Sequence, residues 1–321
     1  MVELFLSEGL KSYNDKYKES MTPNLQKKYS YLQKTLEKPV SCRGIGVHSA
    51  RCNTVTIKPA RENHGIKFRR LDIPGHHSIQ ALFNMVVDTS LATVIGTNGA
   101  IVSTIEHLMA AFAGLGIDNA LVEVDNYEIP VMDGSAREFT LAILDGGIKE
   151  QRAEKQFFWV KEPVSLTMEN KSVCVYPSET MKITCSIEFG HPLIGRQEIT
   201  FEHRADKFRE EICEARTFGF LKDLDYLKKF SLGRGGSLNN AVILDDEKVL
   251  NKEGLRYEDE LVRHKLLDSL GDFSLLGMPI FGHIVTEKSG HALNHMFITK
   301  FLKSREAWET GPCEKERYIL K

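Results

Sequence analysis

At 321 residues the chain is long enough for two domains of ordinary size or one large one, so burying a core is not its limiting problem. With 42% hydrophobic and 27% charged residues and a formal net charge of −2, it has the make-up of a globular protein and no broad electrostatic commitment to nucleic acid, so no nucleic-acid partner is expected. No run of about 18 apolar residues spans a bilayer, and the six dispersed cysteines, with no Cys-x-x-Cys pair, read as reduced thiols of a cytoplasmic protein.

In chain order, residues 1–35 read as a flexible extension, rich in Lys, Ser, Tyr and Asn and without apolar periodicity. Met21 offers an alternative start there, and Glu3, Glu8, Asp15 and Glu19 argue against a transit peptide. From Val40 the texture changes, and Thr54-Val55-Thr56-Ile57 and Ile66-Lys67-Phe68 read as strands. Arg43-Gly44-Ile45-Gly46-Val47-His48 lacks the third glycine and the Lys-Ser/Thr end of a phosphate loop, and reads as a tight strand connection. Over 103–114 the apolar residues Ile105, Leu108, Met109 and Phe112 have helical spacing, with Gly114 and Gly116 available to end the helix. A strand over 120–124, turns at 125–128 and 132–135, and a helix over 136–144 follow.

The polar stretch 149–156 reads as a linker between domains. Beyond it, 157–164, 172–175 and 181–189 look like a meander of antiparallel strands, and Gly233, Gly235 and Gly236 break 218–246 into a loop-rich insertion. Helices are expected over 258–275 and 293–303, with 306–321 as a tail. Strand-rich halves with a few helices indicate an α+β fold, and no internal sequence repeat is visible.

The stretch His264-Lys265-Leu266-Leu267-Asp268 puts an imidazole and a carboxylate at i and i+4, one above the other on a helix. At about 100° per residue from His264, Asp268 falls at about 40° and Gly271 and Asp272 within about 80°. Val262, Leu266 and Phe273 cluster at about 160–200°, and Leu261 and Leu267 flank the polar stripe. A helix covered on both sides with a polar floor between is one way to build a metal site. Taken alone, such a pair is more often a solvated contact, and two ligands leave a catalytic zinc site one short.

His107, beside Glu106 on the first strong helix, is the best-placed third ligand among the eleven histidines, although the spacing is not that of His-Glu-x-x-His enzymes. Glu106 has a competing structural reading, since Ser103-x-x-Glu106 matches a capping box. His291, directly after Gly290 and just before the last helix, can reach into a cleft. With Asp272 near, its pKa would rise toward an imidazolium able to act as general acid, against the plainer reading of a surface-loop histidine.

Taken together, these segments resemble the zinc-dependent UDP-3-O-acyl-N-acetylglucosamine deacetylases of lipid A biosynthesis. The resemblance runs in colinear order over about 36–300 and includes Arg43-Gly44-Ile45-Gly46-Val47-His48-Ser49, Ser103-Thr104-Ile105-Glu106-His107-Leu108-Met109, Gly116-Ile117-Asp118-Asn119 and Pro130-Val131-Met132-Asp133-Gly134-Ser135. It continues through Ala215-Arg216-Thr217-Phe218-Gly219-Phe220, His264-Lys265-Leu266-Leu267-Asp268, Gly271-Asp272 and Gly290-His291-Ala292-Leu293-Asn294.

The resemblance implies metal ligands at His107, His264 and Asp268, for Zn2+ or for Fe2+ in its place. It implies that Glu106 is the base taking a proton from the attacking water, that His291 is the acid held charged by Asp272, and that the Thr217 hydroxyl steadies the oxyanion. Lys265 would contact the substrate's diphosphate and Phe218 its sugar, with Phe220, Gly236 and Ser237 as further substrate contacts. The implied fold is two α+β domains, 36–150 and 155–305, each a helix layer packed on a sheet. The helices are sandwiched between the sheets and the active site lies at the domain interface. Inserts are expected near 85–102 and 219–249, the second βαβ-like and walling an acyl passage with Phe220, Leu224, Leu227, Leu232, Ala241 and Val242. The implied function is removal of acetate from UDP-3-O-(3-hydroxyacyl)-N-acetylglucosamine by a cytoplasmic monomer. The alternatives are a zinc deacylase of another acyl-amino-sugar, or a non-catalytic nucleotide-sugar or metal binder, which would need none of Glu106, Thr217 and His291.

Overall fold

The computed structural model describes residues 32–75, 78–97, 99–223, 229–230 and 232–313. Residues 1–31 of the expected extension, residues 314–321 of the expected tail, and Leu224 and Leu227 lie outside them.

The alternation that marks Thr54 to Ile57 as a strand buries Val55 and Ile57 completely on one face. A first sheet forms from β2 (Val40–Ile45), β3 (Cys52–Pro59), β4 (Ile66–Arg70), β5 (Ser78–Gln80) and β9 (Ala120–Val124), preceded in the chain by β1 (Leu32–Leu36). Its order is β2-β3-β9-β4-β5, antiparallel except where β9 runs parallel to β4. Between β5 and β9 the chain makes a small sheet of β6 (Val86–Asp88), β7 (Val94–Thr97) and β8 (Ala100–Val102), then helix α1 (Glu106–Leu115). Gly116, at φ 73°, ends α1 in the left-handed conformation that favours glycine. Helix α2 (Arg137–Asp145) follows β9.

The second half repeats this topology, although its sequence shows no repeat. After β10 (Ile148–Glu154) and β11 (Gln156–Val160), the strands β12 (Val164–Met168), β13 (Lys171–Tyr176), β14 (Lys182–Phe189) and β15 (Gly195–Glu202) lead to a short parallel pair, β16 (Phe218–Phe220) and β17 (Val242–Leu244). Helix α3 (Glu260–Ser274), β18 (Ile280–Phe281), β19 (His283–Glu287), helix α4 (His291–Lys303) and β20 (Trp308–Pro312) complete the chain. The order β12-β13-β19-β14-β15, with β19 parallel to β14, matches the first sheet strand for strand. In both halves the last central strand is preceded by one long helix and followed by another.

Several expectations are corrected. The polar stretch 149–156 is built of strands: β10 carries only half-buried and exposed residues and pairs with β1, and β11 starts at Gln156. Its polar composition reflects a ribbon with one wet face, which also places residues 32–35 of the expected extension in a strand. The expected meander is interrupted, because β19 comes from 100 residues downstream to lie between β13 and β14, a long-range pairing no local pattern reports. Residues 308–312 of the expected tail pair with β11. Helix α4 starts at His291 and not at 293, so His291 opens the helix instead of preceding it.

Helix α1 is buried on nearly every side and α3 exposes little beyond Arg263, Lys265 and Ser274, as expected for helices enclosed between layers. Apolar residues of both helices and both sheets, from Val55 and Phe68 to Val173 and Ile183, form one continuous core. None of the six cysteines is disulfide-bonded. Among the described residues no helix is long and apolar enough to cross a membrane.

Candidate metal centre and active site

Where α1 and α3 cross, Gly271 lies against the main chain of Glu106, so close that a Cβ there would come within 2.2 Å of the Glu106 carbonyl oxygen. This approach sets Glu106 and His107 at the start of α1 beside His264, Asp268 and Asp272 on α3. The ligand atoms of His107, His264 and Asp268 lie within 4.8 Å of one another. Oδ1 of Asp268 is 3.4 Å from Nε2 of His264 and 3.7 Å from Nε2 of His107, and the two imidazoles meet edge to face with centroids 5.0 Å apart. The plain reading of His264 and Asp268 as a solvated pair does not hold, since they are only 2% and 4% exposed.

The trio fits a cation. Nδ1–H of His264 donates to the Ala215 carbonyl at 3.0 Å, which leaves the Nε2 lone pair facing Asp268. Oδ2 of Asp268 accepts from the Lys265 ammonium at 2.6 Å, whereas its buried Oδ1 has no hydrogen-bond partner. A buried carboxylate oxygen without a donor is costly, and a metal ion would satisfy it. Burial, helped by the neighbouring His264, pushes His107 down to about 3, and burial also lowers His264, so both imidazoles favour the neutral, ligating form. For Asp268, burial opposes the charge, but His264 and Lys265 outweigh it and hold the carboxyl well below the usual range. Two imidazoles and one carboxylate suit a divalent transition metal.

Glu106 does not form the expected capping box. The Ser103 amide donates instead to the Tyr127 carbonyl at 2.7 Å, and the helix begins three residues later, at Glu106. The Glu106 carboxylate turns inward, where Oε2 accepts from the Thr93 amide at 3.0 Å. Burial raises its pKa to about 7, against the opposing influence of His291. Across the site, Nδ1 of His291 is 2.8 Å from Oδ2 of Asp272 and 3.1 Å from Oδ1. Burial alone would lower the His291 pKa, but the charge and hydrogen bond of Asp272, aided by Glu106, raise it to about 10.

Thr217 lies just before β16, at the entry to the second insert, where its amide donates to the Gly134 carbonyl at 2.7 Å and its carbonyl accepts from the Val242 amide at 2.8 Å. Just before Thr217, the buried Arg216 clamps Glu260 with Nε at 2.8 Å and Nη2 at 3.1 Å. Phe218 meets the His264 ring edge to face at 6.4 Å and carries the Lys265 ammonium 5.6 Å from its own ring centre. Phe220 stacks obliquely on Phe189 at 5.5 Å. Lys265 is therefore shared between the Asp268 carboxylate and the Phe218 ring. Gly236 and Ser237 are exposed in a turn that the Gly235 amide fastens to the Val47 carbonyl at 2.9 Å, and the Ser237 amide donates to Asn240 at 2.8 Å. Of the expected passage walls, Val242 is wholly buried in the core.

The structure adds Thr93, Asn294 and the Ala215 carbonyl to the site. Asn294 donates to Oδ2 of Asp272 at 2.8 Å and stands in the Gly290 to Asn294 motif already singled out. Thr93 sits in no recognised motif, and a main-chain acceptor such as Ala215 leaves no trace in side-chain pattern.

The family model described as UDP-3-O-acyl N-acetylglycosamine deacetylase matches residues 33–303. The chain belongs to this deacetylase family. Among its relatives, the UDP-3-O-acyl-N-acetylglucosamine deacetylase of Myxococcus xanthus is 46% identical over 286 residues, covering 89% of this chain and 91% of the relative. The enzymes of the same name from Syntrophus aciditrophicus and Nitratiruptor sp. are 46% and 43% identical, over 88% and 90% of this chain and 89% and 97% of their own lengths. The whole α1–α3 crossing and both inserts lie within the span matched to the deacetylase family.

Proposed function

We propose that this protein hydrolyses the N-acetyl group of UDP-3-O-(3-hydroxyacyl)-N-acetylglucosamine, releasing acetate and leaving the free 2-amine, the committed step of lipid A biosynthesis. The observation that carries this reading is the buried trio of His107, His264 and Asp268, with an orphaned carboxylate oxygen, set between Glu106 and the His291–Asp272 pair. His107, His264 and Asp268 would hold Zn2+, with Fe2+ as a substitute. When bound, the ion supplies Lewis-acid polarisation of the acetamide carbonyl and a more acidic water.

The chain's own groups handle the protons. Glu106, desolvated and with a pKa raised to about 7, takes a proton from water as its oxygen bonds to the carbonyl carbon. The Thr217 hydroxyl donates to the oxyanion that forms. As the C–N bond breaks, the electron pair goes to nitrogen and His291, protonated through Asp272, delivers a proton there. Phe218 offers an apolar face to the sugar, and Lys265 a cation for the diphosphate. Phe220, Gly236 and Ser237 would make further contacts to the substrate. Because both halves of the site come from one chain, a monomer suffices.

A mass-spectrometric assay of acetate release, run on the acylated UDP-sugar beside UDP-N-acetylglucosamine, tests this directly. Faster turnover of the acylated compound is expected. Equal rates would favour a deacylase of another amino-sugar, and no acetate from either would reject the activity.

A further inference from the structure

Thr93, which precedes β7 in the first insert, is 1% exposed and touches both sides of the chemistry. Its amide donates to Oε2 of Glu106 at 3.0 Å, its carbonyl accepts from the Ile105 amide at 3.3 Å, and its hydroxyl donates to Oδ1 of Asp272 at 2.7 Å. One residue of the first half thus spans the Glu106 carboxylate on helix α1 of that half and the Asp272 carboxylate on helix α3 of the second half.

The bonds to Asp272 are unevenly shared. Oδ2 takes the short bond from His291 and the bond from Asn294, both at 2.8 Å. Oδ1 has the Thr93 hydroxyl at 2.7 Å, and otherwise only a longer contact, 3.1 Å, to the same His291 nitrogen. Without the hydroxyl, Oδ1 has no donor of its own, and a carboxylate that is only 3% exposed has little solvent to replace it. Rotation of the carboxylate would then bring Oδ1 toward His291 and spoil the alignment of the imidazole. Asn294 cannot compensate, because its side-chain oxygen accepts from Ser289 and its amide already serves Oδ2.

We propose that Thr93 is a positioning residue for the acid side of the reaction: its hydroxyl fixes the Asp272 carboxylate, and through it the His291 imidazole, relative to Glu106. This rests on the deacetylase reading, in which His291 is the acid. Because the hydroxyl acts through Asp272, removing it should matter only while Asp272 is present.

The test is a double-mutant cycle on the full-length, metal-loaded enzyme with Thr93→Val, Asp272→Asn and the double variant, alongside Thr93→Ser and Thr93→Ala. Metal content, melting temperature, kcat and KM are measured for each. Thr93→Val keeps the side chain's shape and the Glu106 bond, and kcat should fall about 10- to 100-fold with KM and metal content unchanged. Thr93→Ser should restore most of it, and Thr93→Val should cost nothing further in the Asp272→Asn background. Thr93→Ala keeps the proposal testable if the valine does not fold, and should show the same loss. Turnover within twofold of the parent for Thr93→Val or Thr93→Ala, or losses that multiply in the double variant, would overturn the role of Thr93 and leave the deacetylase reading intact. Failure of the parent enzyme to release acetate would reject the reading itself.

Discussion

The imidazole of His291, the first residue of α4, donates from Nδ1 to Oδ2 of Asp272 on α3 across 2.8 Å, and this pairing raises the histidine pKa to about 10 against the effect of burial. An acid that stays protonated to so high a pH sets the basic side of the activity profile. The value of kcat/KM should rise as Glu106 loses its proton, at or below about 7 because a bound cation favours the carboxylate, and fall as His291 loses its proton toward about 10. In Asp272→Asn the carboxylate is gone, so the His291 pKa should drop toward its ordinary value of about 6.5 and the basic limb should move down with it. Activity at pH 8 should fall more than about tenfold. A basic limb that stays in place in this variant would separate Asp272 from the acid role.

Glu106 buries its carboxylate against the Thr93 amide and not against the Ser103 amide, so it is not spent on capping the helix. Glu106→Gln keeps an oxygen for Thr93 but cannot accept a proton. Turnover should fall about 10²- to 10⁴-fold with metal content unchanged. Near-normal rates, measured beside elemental analysis of the same sample, would remove Glu106 from the base role.

Gly271 permits the crossing that assembles the metal trio, and its absent Cβ would fall 2.2 Å from the Glu106 carbonyl oxygen, a main-chain atom that cannot swing aside. Gly271→Ala should therefore push α1 away from α3, at a cost of about 1–3 kcal/mol in stability. Because the displacement separates His107 from His264 and Asp268, metal affinity should weaken with it. Thermal unfolding and competition against a chromophoric chelator check the two effects, and a variant unchanged in both would show that the crossing is not set by this contact.

The metal trio and its neighbours were partly legible in sequence, because His264, Asp268 and Asp272 lie at fixed spacings on one helix and Glu106 and His107 are adjacent on another. His264, Asp268 and Asp272 share one face by helical geometry alone, and β9 and α3 fall close to where their patterns put them. What sequence could not supply was mostly long-range. The insertion of β19 between β13 and β14, and the pairing of β1 with β10, depend on contacts between distant segments. The repeat of one strand order in both sheets is carried by topology and leaves no matching residues. The capping-box reading of Glu106 failed because Tyr127, 24 residues from Ser103, offered its carbonyl first. Thr93 escaped notice for a similar reason: its partners lie 13 and 179 residues away.

The central claim is that His107, His264 and Asp268 hold one metal ion on which deacetylation depends. The most direct measurement is dialysis of the purified protein against a strong chelator, elemental analysis before and after, and acetate release from the acylated UDP-sugar with and without added Zn2+. The expected result is about one metal per chain at the start, loss of activity in step with its removal, and recovery on adding zinc. Full activity in protein shown to be free of metal would contradict it.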